Sequence, residues 1–256
     1  MNDILTLKNV SLIYHTPKTE IVAVKDVSFS LAAGEFVSII GPSGCGKTSI
    51  LSIVAGLVPP SGGEIVLRGK KVKKPSVSVG YMFQRDELFP WRTIEKNAML
   101  PLEITRRTDE KSRKRVLMLL KKYGLGDFAG RYPAELSGGM RQRAALIRTL
   151  ASDPEILLLD EPFSALDYQT RISVADDVYS IIKSERKTAI LVTHDISEAI
   201  SVSDRILVLS PRPSTVAHEH ILDTDKTISP LKRRESEGFS KWFELIWREL
   251  NNEKNI

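Results

Sequence analysis

The sequence predicts an α/β protein organised around a mostly parallel sheet, and three observations predict it. Strand-length apolar runs alternate with stretches at helical spacing, most plainly the run 156–159, the helical pattern 168–184 and the run 188–192. A glycine-rich turn, GPSGCGKT at 41–48, sits between a strand-like run and a helix-like one. The 256 residues, 42% hydrophobic and 27% charged, have the composition of a chain able to bury a core. In such a sheet ligands gather at the carboxyl ends of the strands.

The first quarter reads as strands over 4–10, 22–31 and 36–40, rich in Val, Ile, Leu and Ser and punctuated by Ala33 and Gly34. After the sharp turn at Gly41, residues 48–55 are apolar at helical spacing and stop at Gly56, with Pro59 and Pro60 beyond. Between Glu64 and Gly80 two β-like runs flank a basic stretch, which predicts a lysine-rich hairpin or loop. A helix with a very basic face is expected over 109–123, closed by Gly124 and Gly126. Another is expected over 138–151, ended by Asp153 and Pro154. Near the C-terminus Phe239, Trp242, Phe243, Ile246, Trp247 and Leu250 recur at i, i+3, i+4 and i+7, so the tail is read as one amphipathic helix.

Composition narrows the function classes. The lone cysteine, Cys45, excludes a disulfide framework and a multi-thiolate zinc site, and suits a reducing compartment. No stretch approaches the roughly 18 consecutive apolar residues that span a bilayer. The opening MNDILTLKNV alternates apolar with polar residues and has no basic start before an apolar block, so a first strand is expected rather than a signal peptide. The net charge of +5 is concentrated. Residues 68–74 hold five basic and no acidic groups, and residues 106–122 hold eight basic and two acidic ones, so the remainder is net acidic.

GPSGCGKT fits the pattern G-x-x-x-x-G-K-[ST] in the context the pattern needs, after a strand and opening a helix. Gly41, Pro42, Ser43, Gly44, Cys45 and Gly46 can wrap phosphates with their amides turned inward, and the helix N-terminus adds positive potential. Lys47 then reaches the β- and γ-phosphates, Thr48 offers its hydroxyl to Mg²⁺, and Ser49 closes the candidate nucleotide-binding set. Cys45 lies inside this loop, so either a thiol reagent blocks nucleotide binding there or the thiol is buried and inert.

ILLLDE at 156–161 ends an apolar strand in two carboxylates. Asp160 at the strand tip is placed to hold a magnesium shell, and Glu161, pointing the other way, to polarise a water as general base. LSGGMRQR at 136–143 sets Ser137, Gly138 and Gly139 before a helix, a second arrangement able to hold a phosphate. One chain thus offers two phosphate cradles.

These segments, with SALD at 164–167, resemble the P-loop, signature, Walker B and D-loop of the ATP-binding-cassette ATPases, in order and over nearly the whole chain. The resemblance implies a P-loop NTPase fold of ABC type, a RecA-like parallel core with an antiparallel β subdomain and a helical subdomain at roughly 85–155. The ATPase domain is expected over 1–225 and a C-terminal amphipathic helical tail over 226–256, with ATP and Mg²⁺ as ligands. Gln84, in GYMFQRDELFPW, matches the glutamine that joins Mg²⁺ and the attacking water and senses the membrane partner. His194, in VTHDISEA, matches the switch histidine that contacts the γ-phosphate. Tyr14 matches the aromatic that stacks on adenine, and Asp167 belongs to the D-loop. Met140 departs from the glutamine of the commonest signature. Cassettes of the family pair head to tail, each ATP lying between one chain's P-loop and the other's Ser137 region, which gives the surplus cradle a use.

LFPWRTIEKNAMLPLEI and VTHDISEAISVSDRILVLSPRPSTV resemble the importer cassettes of the nitrate, sulfonate and taurine group. Relatives of that group carry thiamine precursors, so the substrate stays open. The implied partners are a second copy of the cassette, integral-membrane permease subunits and a periplasmic or lipoprotein solute-binding protein, with the chain peripheral on the cytoplasmic face of the membrane. Leu88, Phe89, Pro90 and Trp91 are apolar for a loop, so either a permease helix docks there or they pack within the chain. The tail is expected to cover its own domain, with a permease, a second cassette or the membrane surface as alternatives. An exporter cassette and a soluble cassette acting on DNA or ribosomes are the rival readings; no heptad run lies between P-loop and signature to support the second. No nucleic-acid partner is expected, because no stacking aromatics are interleaved with the basic segments, which read as solvated faces near anionic headgroups.

Overall fold

The structure is a computed structural model and describes residues 3–223, 225 and 228–252. Strands β1 (Asp3–His15) and β2 (Glu20–Ala32) form a long hairpin, and β3 (Phe36–Ile40) leads through the glycine loop into α1 (Lys47–Val54). Next come β4 (Gly62–Leu67), β5 (Lys70–Lys71) and β6 (Val79–Met82), then three helices, α2 (Ile94–Ile104), α3 (Glu110–Lys122) and α4 (Gly138–Ala151). The chain continues through β7 (Ile156–Asp160), α5 (Tyr168–Ser184), β8 (Thr188–Val192), α6 (Ile196–Val202), β9 (Arg205–Leu209) and β10 (Val216–Ile221). It ends in α7 (Pro230–Arg233) and α8 (Glu237–Asn252).

Two sheets result. The first is antiparallel with strand order β2-β1-β4-β5; the second has order β10-β9-β3-β8-β7-β6 and is parallel apart from β10 at its edge. Every residue of β3, β7 and β8 is buried, which explains why these strands read as unbroken apolar runs: a parallel sheet is covered on both faces. On one face the core of Leu157, Leu159 and Leu191 meets α2 to α5. On the other, Ile50, Leu51, Ile53 and Val54 of α1 pack between the two sheets, against Leu5 and Val24 on one side and Ile39, Leu158 and Ile190 on the other. The glycine loop is therefore anchored by a helix gripped from both sides.

Four elements lie outside the sequence expectation. α2 begins on the Thr93 cap, whose hydroxyl accepts the Lys96 amide at 3.3 Å, but Pro101 inside it masks the helical signal. α6 is short, and β9 and β10 follow it with an edge strand, VAHEHI, in which three of six residues are polar and three exposed. The tail also differs. α8 sets Phe239, Trp242, Ile246 and Leu250 against Ile40, Ile200 and Val208, and Ile246 is fully buried. Phe243 and Trp247, expected in the same stripe, are 36% and 53% exposed, because each lies one residue, about 100°, around the helix from the packed row. Of the expected tail, residues 226, 227 and 253–256 lie outside the described residues. Among the described residues no helix is long and apolar enough to cross a membrane.

Candidate active site

The parallel strands end on one rim, and the candidate residues follow directly from them. β3 delivers the glycine loop. Lys47 is 6% exposed and its ammonium donates to the carbonyls of Gly41 at 2.9 Å and Pro42 at 3.1 Å, so the side chain folds back over the loop it follows. Gly46 caps α1 at φ 125°, and a Cβ there would meet the Ala23 carbonyl and the Ser214 hydroxyl at 3.0 Å each. No side chain caps this helix, which leaves its first amides for an anion, as phosphate-binding helices require. Cys45 is 2% exposed and burial pushes its thiol up, so of the two alternatives the thiol is the buried one.

β7 delivers the acid pair. Asp160 is 8% exposed, yet both its oxygens are bonded: Thr48 donates to one at 3.1 Å and Tyr81 to the other at 2.9 Å. Burial raises the Asp160 carboxyl, while the Tyr81 and Thr48 bonds and the Lys47 charge pull it down. Burial and the neighbouring carboxylate push the Tyr81 phenol upward, so it stays a donor to Asp160. Glu161 turns at φ 44°, a left-handed conformation uncommon for a residue with a Cβ, and its amide is held by the Val192 carbonyl at 2.9 Å. The turn carries the Glu161 carboxylate away from Asp160's partners and toward β8, where His194 Nδ1 lies 3.0 Å from Oε2.

Gln84, two residues beyond β6, donates to Ser164 Oγ at 3.2 Å, and Ser164 Oγ donates to the Glu161 carbonyl at 3.0 Å. Tyr14 on β1 shares a hydrogen bond of 3.1 Å with Ser49 on α1, which places its ring beside the glycine loop, 39% exposed. Asp167 caps α5, accepting the Thr170 amide at 3.1 Å, and those bonds hold its carboxyl below the usual range.

Ser137, Gly138 and Gly139 stand apart. Ser137 caps α4 through the Met140 amide at 3.3 Å and is exposed, while Gly139 is buried so tightly that a Cβ would meet Val174 at 2.7 Å. Among the described residues no hydrogen bond or ion pair joins these three to residues 41–49. Met140 is half-buried against the helical core.

Two arginines went unnoticed in the sequence. Arg148 donates to the carbonyls of Asp86 and Glu87, both at 2.6 Å, and Arg141 pairs with the Asp86 carboxylate at 3.0 Å. Together they fasten the segment after Gln84 to α4, the helix that Ser137 caps. Arginine on a helix reads as a solvated charge, and no sequence spacing distinguishes these two. Leu88 in the same segment is buried in the helical core, whereas Phe89 and Trp91 stack on each other at 5.1 Å, with Trp91 72% exposed.

The family model for ABC transporters matches residues 24–164. The uncharacterized ABC transporter ATP-binding protein YtlC of Bacillus subtilis is 46% identical over 97% of this chain and 96% of its own length. The taurine import ATP-binding protein TauB of Ruegeria pomeroyi is 39% identical over 95% of this chain and 94% of its own, and that of Pelagibacter ubique 41% identical over 87% and 84%. A solved structure, the dimeric post-hydrolysis state of the ATP-binding cassette MJ0796 bound to ADP and Pi, is 35% identical with a TM-score of 0.73, covering 86% of this chain and 100% of that one. The glycine loop, the acid pair and the histidine at one sheet rim, matched in sequence along nearly the full length of such relatives, mean that this chain belongs to the ABC transporter family as an ATP-hydrolysing cassette.

Proposed function

We propose that the chain is the ATPase subunit of an importer for a small solute of the nitrate, sulfonate or taurine type, working as a head-to-tail pair on separate permease subunits. The observation that carries the hydrolytic part is the double pairing at the rim, Thr48 with Asp160 and His194 with Glu161, at 3.1 and 3.0 Å. The glycine loop and Lys47 hold the β- and γ-phosphates, and Tyr14 offers its ring to the adenine. Thr48, Asp160 and Gln84 hold Mg²⁺; their hydroxyl, carboxylate and amide oxygens are the hard donors that such a cation takes. When bound, the metal neutralises charge on the phosphate oxygens. Glu161 accepts the proton of the attacking water, and His194 holds that carboxylate in place while facing the γ-phosphate.

The exposed Ser137 cap, unattached to its own chain's glycine loop, supports the pairing of two copies, each supplying residues 137–139 and Asp167 to the other's nucleotide. A cavity of about 340 Å³ between the post-Gln84 segment and α2, lined by Phe83, Phe89, Pro101 and Ile104, supports a permease helix docking beside Gln84 at the cytoplasmic face of the membrane. The TauB relatives support import, and with it a solute-binding protein outside the membrane.

Uptake of labelled taurine, an alkanesulfonate and nitrate, by cells expressing the chain with its partner permease, tests the substrate class. Import of at least one, abolished by Glu161→Gln, is expected. Transport of none of the three by a complex that hydrolyses ATP would remove the solute assignment and leave the ATPase.

A further inference from the structure

Glu198 lies in the first turn of α6 and is 4% exposed, yet nothing in the hydrolytic reading uses it. Its Oε2 accepts the Thr193 hydroxyl, while Oε1 is buried with no hydrogen-bond partner. A buried carboxyl with one bare oxygen is costly, so it is a poor choice for a merely structural position. Its surroundings form a closed ring. Thr193 Oγ1 accepts the Asp195 amide at 3.1 Å, and Asp195 Oδ1 in turn accepts the Glu198 amide at 3.1 Å. His194 projects from the middle of this ring toward Glu161, and the Thr193 amide fixes the ring to the Ile39 carbonyl at the end of β3, at 3.3 Å.

We propose that Glu198 is a positioning residue for His194: its carboxyl, acting through Thr193 and Asp195, aims the histidine at Glu161, and its ionisation tightens that hold. The proposal rests on the hydrolytic reading of the site. Burial pushes the carboxyl up to about 7, against the pull of the Thr193 hydroxyl. The charged and titratable groups around it are Asp195 at its own cap, Arg171 from α5, Arg234 beyond α7 and His194 in the ring; α8 meets α6 through the apolar Ile246. The group therefore changes charge near neutrality. Ionised, it takes the Thr193 hydroxyl in a charge-assisted bond, which is stronger than the neutral one. Neutral, it holds the ring more loosely.

The test is kcat and KM for ATP of the cassette in complex with its permease, from pH 6 to 8.5, for the parent, Glu198→Gln, Thr193→Val and the double variant. Glutamine keeps the shape and fixes the neutral state. The ratio of parent to Glu198→Gln kcat should rise about fivefold with a midpoint near pH 7, with KM changed less than about twofold. In the Thr193→Val background, Glu198→Gln should have little further effect. A ratio constant across the range, or effects of the two changes that simply multiply, overturns the proposal. A parent complex that binds ATP but never hydrolyses it overturns the hydrolytic reading as well, and is told apart by the parent's own rate.

Discussion

His194 reaches Glu161 across two neighbouring strands, Nδ1 to Oε2 at 3.0 Å, with the Glu161 side chain 24% exposed and that of His194 57% exposed. The contact exists because β7 and β8 are parallel partners in register, Asp160 beside Val192, so both chains leave the sheet at one level. The strained turn at Glu161 then swings its carboxylate toward β8. The proposed general base is thus a carboxylate held at a fixed angle by backbone that costs about 1–3 kcal/mol to maintain.

Glu161→Gln keeps the size and the His194 contact but cannot accept a proton. ATP binding should persist within about twofold while turnover falls by a factor of roughly 10² or more, and an ATP-loaded pair of chains should accumulate. Steady-state hydrolysis beside size-exclusion chromatography in ATP checks both. Hydrolysis at the parent rate would remove Glu161 from the role of base.

Much of this site was legible because its chemistry demands particular residues at set spacings. The glycine loop, the acid pair and the SGG cap sit within short contiguous segments, and β3, β7 and β8 show as unbroken apolar runs because both their faces are buried. What stayed hidden depends on contacts between distant segments. Arg148 grips the Asp86 and Glu87 carbonyls, and Tyr81 binds Asp160 from the next strand, neither with a local signature. The basic segments face solvent as expected, with Arg68, Lys71, Arg113 and Lys122 46–64% exposed, but their partners have no local signature: Arg68 pairs with Glu155, Lys71 with Glu64, Arg113 with Glu95 and Lys122 with Glu185. Three of these surface pairs, Arg113 with Glu95, Arg115 with Asp153 and Lys122 with Glu185, tie α3 to its neighbours.

Asp153 is the centre of one such tie, accepting Arg115 from α3 at 2.8 Å and Lys187 before β8 at 2.6 Å. Those two cations hold its carboxyl down at about 2, below the ordinary 3.8. A depressed folded-state value stabilises the fold above the unfolded value, and that contribution is lost as pH falls through the folded one. Asp153 sits at φ 59°, where asparagine is well tolerated, so Asp153→Asn removes charge without adding strain. The variant should melt below the parent at pH 7, and the gap should close between about pH 4 and 2. A gap that stays constant down to pH 2 refutes the ion-pair account.

Arg233 anchors the tail. It is 1% exposed, its guanidinium donates to the Asp225 and Ser201 carbonyls at 3.1 and 3.0 Å and to the Tyr179 hydroxyl at 2.5 Å, and it lies 4.8 Å from that ring's centre. Arg233→Ala strands these acceptors in an apolar setting, a loss of about 2–4 kcal/mol. Chemical denaturation should show that loss, and hydrogen exchange should show α8 opening ahead of the sheet. Unchanged stability would mean that the Ile246 row and the tail's other bonds, Glu249 with His220, Trp242 with Asp223 and Arg234 with Ser201, hold it without Arg233.

Ser137→Arg separates a shared site from a private one. Ser137 is exposed, caps α4 through one amide bond and touches no residue of its own glycine loop by hydrogen bond, so a larger side chain should leave the monomer folded at a cost of about 1 kcal/mol for the lost cap. If each nucleotide lies between two chains, an arginine there fills the cradle on the partner's side. In a mixed pair one chain carries Ser137→Arg and the other Lys47→Ala, so each defect marks one site. Should sites be shared, both changes fall on the same nucleotide: the Lys47→Ala chain loses its own phosphate contact and receives the arginine, while the other site stays intact and hydrolyses ATP. Should sites be private, Ser137→Arg lies away from its own chain's glycine loop and disables neither site, so a pair carrying that change alone hydrolyses ATP at the parent rate. Rate per pair, read against pairs carrying either change alone, decides between them.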